Sequence, residues 1–453
     1  MKNISGGFSI FITKIVLILV VMSMYSIGQE IFYDETLPFF FWGYVILLLL
    51  YAASIYLASR VYTCFAFGNA ALSDILQSWV LCLLVSNIFQ YFILCLLALD
   101  LLPVYGFLLI YIAQIALVIP ISIFIDKLYY RQNPARNAII IYGKKDKLDE
   151  FSSMVMMQRM KFRVNNIVSQ DSETAKLLDF VDAAESVFFL NVDESKQDWL
   201  LEYCYLHNKH TYIQPTFSKI LLNTAGTFWL SNTPIFSLKT PLPDIGTLFL
   251  KRLIDIVISL IAIILTSWIM ICIGLIVRFY DRHPAIYKQT RVTRGGKQFT
   301  LYKFRSMRPD SERDGVARLT SSDDDRITPI GHFIRRTRID ELPQFFNVLR
   351  GTMSIVGPRP ERPEIARQYE ELYPNFSFRT KVKAGITGLA QIYGRYNTAP
   401  EEKLFLDIMY IEAFSILQDI KLMLQTVSVL FKASSTEGID DGLTTALWKG
   451  DKE

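Results

Sequence analysis

Leu253–Val277 reads LIDIVISLIAIILTSWIMICIGLIV. At 1.5 Å per residue this apolar run is long enough to cross a bilayer core of about 30 Å as a helix. Lys251 and Arg252 precede it, and Arg278, Arg282, Lys288, Arg291 and Arg294 follow it. A straight span would export one of these basic flanks, against the tendency of Lys and Arg to stay on the cytoplasmic side. A helix that enters one leaflet, bends and returns keeps both flanks inside. Thr266 and Ser267 can bond back to carbonyls of the preceding turn, which bends helices. The expected break is Ser267-Trp268, with the Trp268 indole favouring the interface, and Asp255 is expected near the headgroups, where an acid costs less than at mid-bilayer. The run by itself does not choose between this re-entrant helix and a fifth span.

The rest of the chain sets the context. Of 453 residues, 51% are hydrophobic and only 20% charged, a balance that favours a membrane protein carrying soluble parts. Four further apolar runs open the sequence, at about 8–28, 37–58, 79–99 and 104–125. Lys14 interrupts the first, which therefore reads as a retained span and not a signal peptide. The first loop, 29–36, is acidic, whereas Lys127, Arg131, Arg136, Lys144, Lys145 and Lys147 follow the fourth run. Four spans with both ends in the cytoplasm satisfy that asymmetry.

From about residue 137 the rhythm changes. Short strands are expected at 138–142, 162–168, 187–190 and 211–213, with helices at 147–157, 174–180 and 196–208. Such alternation predicts a small parallel sheet of Rossmann type. Gly143-Lys144-Lys145-Asp146 lacks the glycines of a pyrophosphate turn, so a structural or regulatory role is expected for this domain. The net charge of +4 fits an anionic membrane surface, and nothing resembles a nucleic-acid-binding stripe. Five scattered cysteines and four histidines form no metal-ligand spacing.

The chemistry-bearing residues lie in the last third. Lys303 sits in Tyr302–Met307 (YKFRSM), at the end of a strand-like stretch. Thr337–Val348 reads TRIDELPQFFNV, Gly357–Glu361 reads GPRPE, and Gly385–Gln391 reads GITGLAQ. Pro343 is tolerated only in a helix's first turn, so a helix is expected to start close to Asp340. Asp340 and Glu341 would then lie at a helix N-terminus, whose dipole attracts phosphate and would keep Asp340 ionised. Arg335, Arg336 and Arg338 lie immediately upstream. One carboxylate could attack phosphorus while the other holds a Mg²⁺ bound to a diphosphate. An Asp-Glu pair alone is most often a solvated cap; its company gives it weight. Arg359, stiffened by Pro358 and Pro360, is suited to gripping phosphate with two parallel hydrogen bonds.

In order, KRLID (251–255), the apolar run, YKFRSM, IDELPQFFNVL, GPRPE, GITGLAQ and DIMY (407–410) resemble the bacterial sugar transferases. These are polyprenyl-phosphate sugar-1-phosphate transferases, also called monotopic phosphoglycosyl transferases. The resemblance covers about 248–433, and the segments before it resemble the large members with four spans and a Rossmann-like domain. It implies a mixed α and α/β membrane protein. Residues 1–127 would hold four transmembrane helices and 128–245 the Rossmann-like domain. Residues 246–440 would be a mostly helical catalytic domain with a re-entrant helix at 250–280, followed by a tail at 441–453. It implies that sugar-1-phosphate passes from a UDP-sugar to undecaprenyl phosphate through a covalent aspartyl intermediate, releasing UMP, as the first membrane step of exopolysaccharide, capsule or O-antigen synthesis. Asp340 matches the nucleophile and Glu341 the adjacent acid, both placed at a Mg²⁺. Lys303, Arg335 and Arg359 match basic positions near phosphates, and Lys383 stands where many members have the Arg of an Arg-Pro pair. Ser267-Trp268 replaces the usual Ser-Pro. The implied setting is the bacterial inner membrane, with the catalytic domain on its cytoplasmic face, membrane lipids around it and a homodimer as the assembly.

Leu404–Phe431 carries apolar residues at helical spacing, suited either to the interface plane or to packing on the catalytic core. Two rivals compete with this reading. Tyr205-x-x-x-Lys209 would suit an NAD-dependent nucleotide-sugar dehydratase or epimerase, although the glycine loop is missing. A non-catalytic scaffold for polysaccharide assembly would not need Asp340.

Overall fold

The computed structural model describes residues 2–33, 41–145, 147–238, 244–308, 326–394 and 399–430; Asp146 and the expected tail at 441–453 lie outside them. The chain forms two compact units, Met1–Pro215 and Thr216–Glu453.

The first unit begins with four long helices, α1 (Lys2–Tyr33), α2 (Phe41–Tyr62), α3 (Leu72–Ala98) and α4 (Val104–Gln132), each long and apolar enough to cross a membrane. Their outer surfaces carry exposed Leu49, Leu57, Phe92, Leu96, Leu109 and Phe124, while polar side chains turn inward. Gln114 on α4 ties all four together. Its amide donates to Tyr51 Oη of α2 (2.8 Å) and to the Val21 carbonyl of α1 (3.2 Å), and accepts from Asn87 of α3 (2.8 Å). Hydrocarbon offers no alternative partners, so neutral polar groups hold such helices together from within.

Four strands follow, β1 (Arg136–Tyr142), β2 (Phe162–Ser169), β3 (Ser186–Leu190) and β4 (His210–Ile213), all parallel in the order β2-β1-β3-β4. Helices α5 (Leu148–Met157), α6 (Thr174–Ala183) and α7 (Glu194–Leu206) alternate with them. Ala138 and Ile140 pack on one face with Val155 of α5; Ile139 and Ile141 pack on the other with Leu177 and Leu200 of α6 and α7. Strands covered on both faces read as the continuous apolar runs seen in the sequence. The crevice between the ends of β1 and β3, where a dinucleotide pyrophosphate would rest, is closed. A Cβ on Gly143 would collide with the Asn191 carbonyl. Gln170 donates to Asp193 Oδ2 (2.6 Å) and accepts from the Asp193 amide (2.8 Å). The Tyr205–Lys209 pair does not form a dyad either: Tyr205 is exposed, and Lys209 Nζ donates to the carbonyls of Asp182 and Ala184 (2.7 and 2.8 Å).

The second unit contains α8 (Phe217–Asn223), an antiparallel hairpin of β5 (Gly226–Leu230) and β6 (Thr233–Ser237), and α9 (Ile245–Asp281). A second antiparallel pair follows, β7 (Ile286–Val292) and β8 (Gln298–Phe304). Next come α10 (Pro329–Arg336), a 3₁₀ turn at Ile339–Glu341, α11 (Gln344–Arg350), β9 (Ser354–Val356), α12 (Pro363–Leu372) and a 3₁₀ turn at Phe376–Lys381. The described chain ends with β10 (Gly385–Thr387), parallel to β9, and helices α13 (Leu389–Tyr393), α14 (Pro400–Glu412) and α15 (Ile416–Leu430). Val348, Met353, Ile355, Phe376, Leu404 and Leu422 share one core with Ile220 of α8. The segment read as either interfacial or core-packed is thus packed on the core, as two helices.

Helix α9 runs unbroken through Ser267 and Trp268, and both expected back-bonds are present: Thr266 Oγ1 to the Ala262 carbonyl (2.7 Å) and Ser267 Oγ to that of Ile264 (2.8 Å). Its basic start is a clamp. Lys251 Nζ pairs with Asp419 Oδ2 of α15, and Arg252 donates to the carbonyls of Val348 and Leu349 at the end of α11 (2.6 and 2.7 Å). Asp255, expected at the headgroups, is instead buried against β9, where it accepts from Ser354 Oγ (3.1 Å) and the Ile355 amide (3.0 Å). Farther along, Ile273 and Val277 pack against Phe304 of β8 and Ile334 of α10. Asp419 is 3% exposed, so removing its partner strands a buried charge. Lys251→Met is expected to destabilise the detergent-purified protein by about 3–5 kcal/mol, and adding Asp419→Asn to restore part of that, both read as thermal unfolding midpoints.

Candidate active site

Four segments converge on Glu341. Thr328 caps α10, its Oγ1 accepting from the Gly331 amide (2.9 Å), and α10 ends in Arg335 and Arg336. Arg338 then adopts a left-handed conformation, φ 57°, that turns the chain sharply into the Ile339–Glu341 turn. The expected helix start at Asp340 is therefore a 3₁₀ turn, and α11 begins only at Gln344, after Pro343. Strand β8 brings Lys303, with the Tyr302 amide held by Asn347 Oδ1 of α11 (3.0 Å). The 357–361 loop brings Arg359.

This loop is held by close backbone approach. A Cβ on Gly357 would strike the Lys383 carbonyl, and one on Gly385 would strike the Gly357 amide. Only glycine lets the two segments cross so closely. Gly357 N donates to the Thr387 carbonyl (2.8 Å) and Gly385 N to that of Pro358 (2.9 Å). Arg379, 6% exposed, fixes the loop from beneath: it donates to the Arg359 carbonyl (2.9 Å) and pairs with Asp407 (2.7 Å) and Glu361 (3.4 Å). Burial pushes the Asp407 carboxyl up to about 6, against the pull of Arg379.

Glu341 Oε1 takes three cations: Arg359 Nη2 at 2.9 Å, Lys303 Nζ at 3.6 Å and Arg338 Nη1 at 3.6 Å. Burial alone would raise this carboxyl, but the three charges outweigh it and hold it well below the usual range. In return Glu341 pushes the Arg359 guanidinium up. Asp340 is the opposite case. It is 8% exposed, and burial followed by the neighbouring Glu341 charge raises its carboxyl above 3.8, while Lys303, Arg335 and Arg338 pull the other way. The expectation that a helix dipole keeps Asp340 ionised is thus corrected: desolvation dominates, and no α-helix begins there. Its Oδ1 is buried without a hydrogen-bond partner among the described residues. A buried acceptor left open beside concentrated positive charge marks a place for a ligand.

Lys303, Arg335 and Arg359 therefore gather around the acidic pair, as the sequence implied. Lys383 does not: the charges that act on it are Arg252, Asp255 and Lys251 at the start of α9 and Arg294 in the β7–β8 turn. Its carbonyl, not its ammonium, contributes to the 357–361 loop. Arg338 and Arg379 were missed as site residues. Arg338 stood within the quoted motif, but nothing in the sequence marks Arg379, whose role comes from the packing of the 376–381 turn under the loop. Within 339–361, Glu341 stabilises the fold while ionised: its depressed carboxyl supplies stability above its unfolded value of 4.5, and that stability is lost as pH falls. Glu341→Gln is expected to cost about 3 kcal/mol at pH 7, the low end for a buried pair because the Arg359 side chain keeps 42% exposure, and to flatten the acid limb of a pH–stability curve.

Residues 246–433 match the family described as bacterial sugar transferase. A UDP-glucose:undecaprenyl-phosphate glucose-1-phosphate transferase of Escherichia coli (strain K12) is 43% identical over 204 residues, covering 44% of this chain and 44% of the relative. A UDP-N-acetylgalactosamine-undecaprenyl-phosphate N-acetylgalactosaminephosphotransferase of Aeromonas hydrophila is 38% identical over 185 residues, covering 40% and 44%. A putative undecaprenyl-phosphate N-acetylgalactosaminyl 1-phosphate transferase of Bacillus subtilis (strain 168) is 47% identical over 132 residues, covering 29% of this chain and 73% of the relative. The alignments thus span a little under half of the first two relatives, and all of the residues gathered around Asp340 fall inside the matched region. The chain belongs to the bacterial sugar transferase family.

Proposed function

We propose that the chain transfers a sugar-1-phosphate from a UDP-sugar to undecaprenyl phosphate, with Asp340 as nucleophile. The observation that carries this reading is the buried, unpartnered Asp340 oxygen beside a carboxylate already neutralised by three cations. Phosphoryl transfer asks mainly for positioning and for positive charge around phosphorus. Asp340 attacks the phosphorus nearest the sugar; an aspartyl O–P bond forms and the bond to the bridging oxygen breaks, releasing UMP. A phosphate oxygen of the lipid then attacks the same phosphorus, and the aspartyl bond breaks to return the carboxylate. Partial desolvation leaves Asp340 a better nucleophile than a hydrated carboxylate, while Lys303, Arg335 and Arg338 favour its ionised form. Arg359 and Lys303 would neutralise the diphosphate.

The acidic pair fits a Mg²⁺. No group of three ligand-type residues exists among the described residues, but Mg²⁺ is commonly held by one or two carboxylates plus substrate phosphates. Asp340 and Glu341 would hold it, and it would supply charge neutralisation at the diphosphate.

Membrane geometry supports the re-entrant form of α9. Ser259 is fully buried, and Ile269, Met270 and Ile273 pack with Phe304 and Ile334, so only 260–268 lies between the two packed stretches. Nine residues rise about 14 Å, short of a core of about 30 Å. A straight span would drag the polar module into hydrocarbon, whereas a continuous helix that bends near Leu265 and Trp268, 66% and 65% exposed, keeps both of its ends on one face. That face is the cytoplasmic one of the inner membrane, where nucleotide-sugars are soluble and where the basic flanks belong. Cysteines introduced at Ile245 and Lys288 are expected to react with an impermeant maleimide from the same side of inverted vesicles; labelling from opposite sides would mean a span.

Asp340→Asn is expected to lower UMP release from a UDP-sugar panel, in the presence of Mg²⁺ and undecaprenyl phosphate, by at least about 10³-fold. Retained turnover would remove Asp340 from the chemistry and favour a scaffold.

A further inference from the structure

A cavity of about 260 Å³ lies on the side of the 357–361 loop formed by the β7–β8 turn, α12 and the 376–381 turn. Arg359 lines it and also reaches Glu341, so the cavity and the acidic pair share one wall. Resting on the function proposed above, we propose that this cavity seats the base and ribose of the nucleoside diphosphate donor, the part of the substrate that does not react.

Three properties favour that occupant. The first is size. Pockets for whole drug-sized ligands run to about 300–1,000 Å³, so this one suits a fragment, a pyrimidine with its ribose, and not an entire nucleotide-sugar. The second is lining. Pro358, Pro363, Ala366 and Val382 supply an apolar wall against which a flat ring can lie, and Gln298 and Glu370, both exposed, supply an amide and a carboxylate that can pair with a base edge and ribose hydroxyls. The third is charge. Arg379 on the wall is already paired with Asp407 and Glu361, and Arg291 behind it lies 4.0 Å from Glu361, so these cations are spent internally. Arg367 of α12, exposed on the cavity wall, is the cation that remains for the ribose side of the donor. The phosphates belong at Arg359 and Lys303, beside the acidic pair, which leaves the cavity for the neutral end of the donor. A lipid chain is excluded by the same size and by the polar lining.

Binding energy from a non-reacting part of a substrate lowers KM. Filling the cavity should therefore act on donor binding more than on chemistry. Ala366→Phe, which projects a ring from α12, is expected to raise KM for the UDP-sugar at least about tenfold and to raise the inhibition constant of UMP in step, with kcat changed far less. Glu370→Ala, a milder change on the cavity wall, is expected to raise both constants about threefold, and Glu371→Ala, next to it but off the cavity wall, to leave them as in the parent. CMP and inorganic phosphate serve as competing probes: UMP should lose affinity in Ala366→Phe, inorganic phosphate should not. If Ala366→Phe lowers the thermal midpoint, Glu370→Ala alone decides. Unchanged KM and UMP inhibition in both variants would overturn the assignment while wild-type UMP release still supported the proposed reaction. Absence of UMP release by the wild type with every donor would instead sink the reaction itself, and direct calorimetry of UMP binding to wild type and Ala366→Phe would then judge the cavity.

Discussion

One oxygen, Glu341 Oε1, carries the electrostatic balance of the catalytic module. Arg359, Lys303 and Arg338 come from a glycine-bound loop, a strand and the turn after α10, and each would repel the others without it. By neutralising them in the fold, Glu341 lets positive charge accumulate where the proposed diphosphate would sit. The same charge acts on Asp340 next door with the opposite sign, discouraging its ionisation while the surrounding cations encourage it. The pair therefore divides into a structural anion and an open one, which is how adjacent acids come to hold different roles.

The membrane helix is tied to that balance through backbone, not through charge at the site. Lys251, Arg252 and Asp255 grip α15, the end of α11 and β9, and α11 in turn follows directly from the turn that holds Asp340 and Glu341. Depth in the bilayer and position of the acidic pair are thus set by the same contacts. In the first unit the polar groups face inward around Gln114, a second case in which neutral hydrogen bonds and ion pairs replace the hydrophobic drive that lipid cannot provide.

Much of this was legible in the sequence because it depends on local periodicity. The four apolar runs became four helices, and the strands and helices of the parallel sheet fell within a few residues of their expected bounds, since buried β-runs such as Ala138–Tyr142 bounded by Gly143 leave few alternatives. The ordered motifs brought Lys303, Arg335 and Arg359 to one place. What failed depended on tertiary company. Asp255 read as a headgroup acid but is buried against β9; Lys383 read as a phosphate contact but sits with Arg252 and Arg294; Asp340 read as a dipole-stabilised anion but is desolvated. Arg379 left no trace, because a basic residue in a short turn looks the same whether it faces water or underpins a loop.

The central claim is that Asp340 forms a bond to phosphorus. Incubating the protein with its UDP-sugar and Mg²⁺ but no lipid acceptor, then digesting it for mass spectrometry, tests this directly. The account predicts a sugar-phosphate added to the peptide containing Asp340, discharged when undecaprenyl phosphate is supplied. UMP release without any adduct, or an adduct on a different residue, would contradict it.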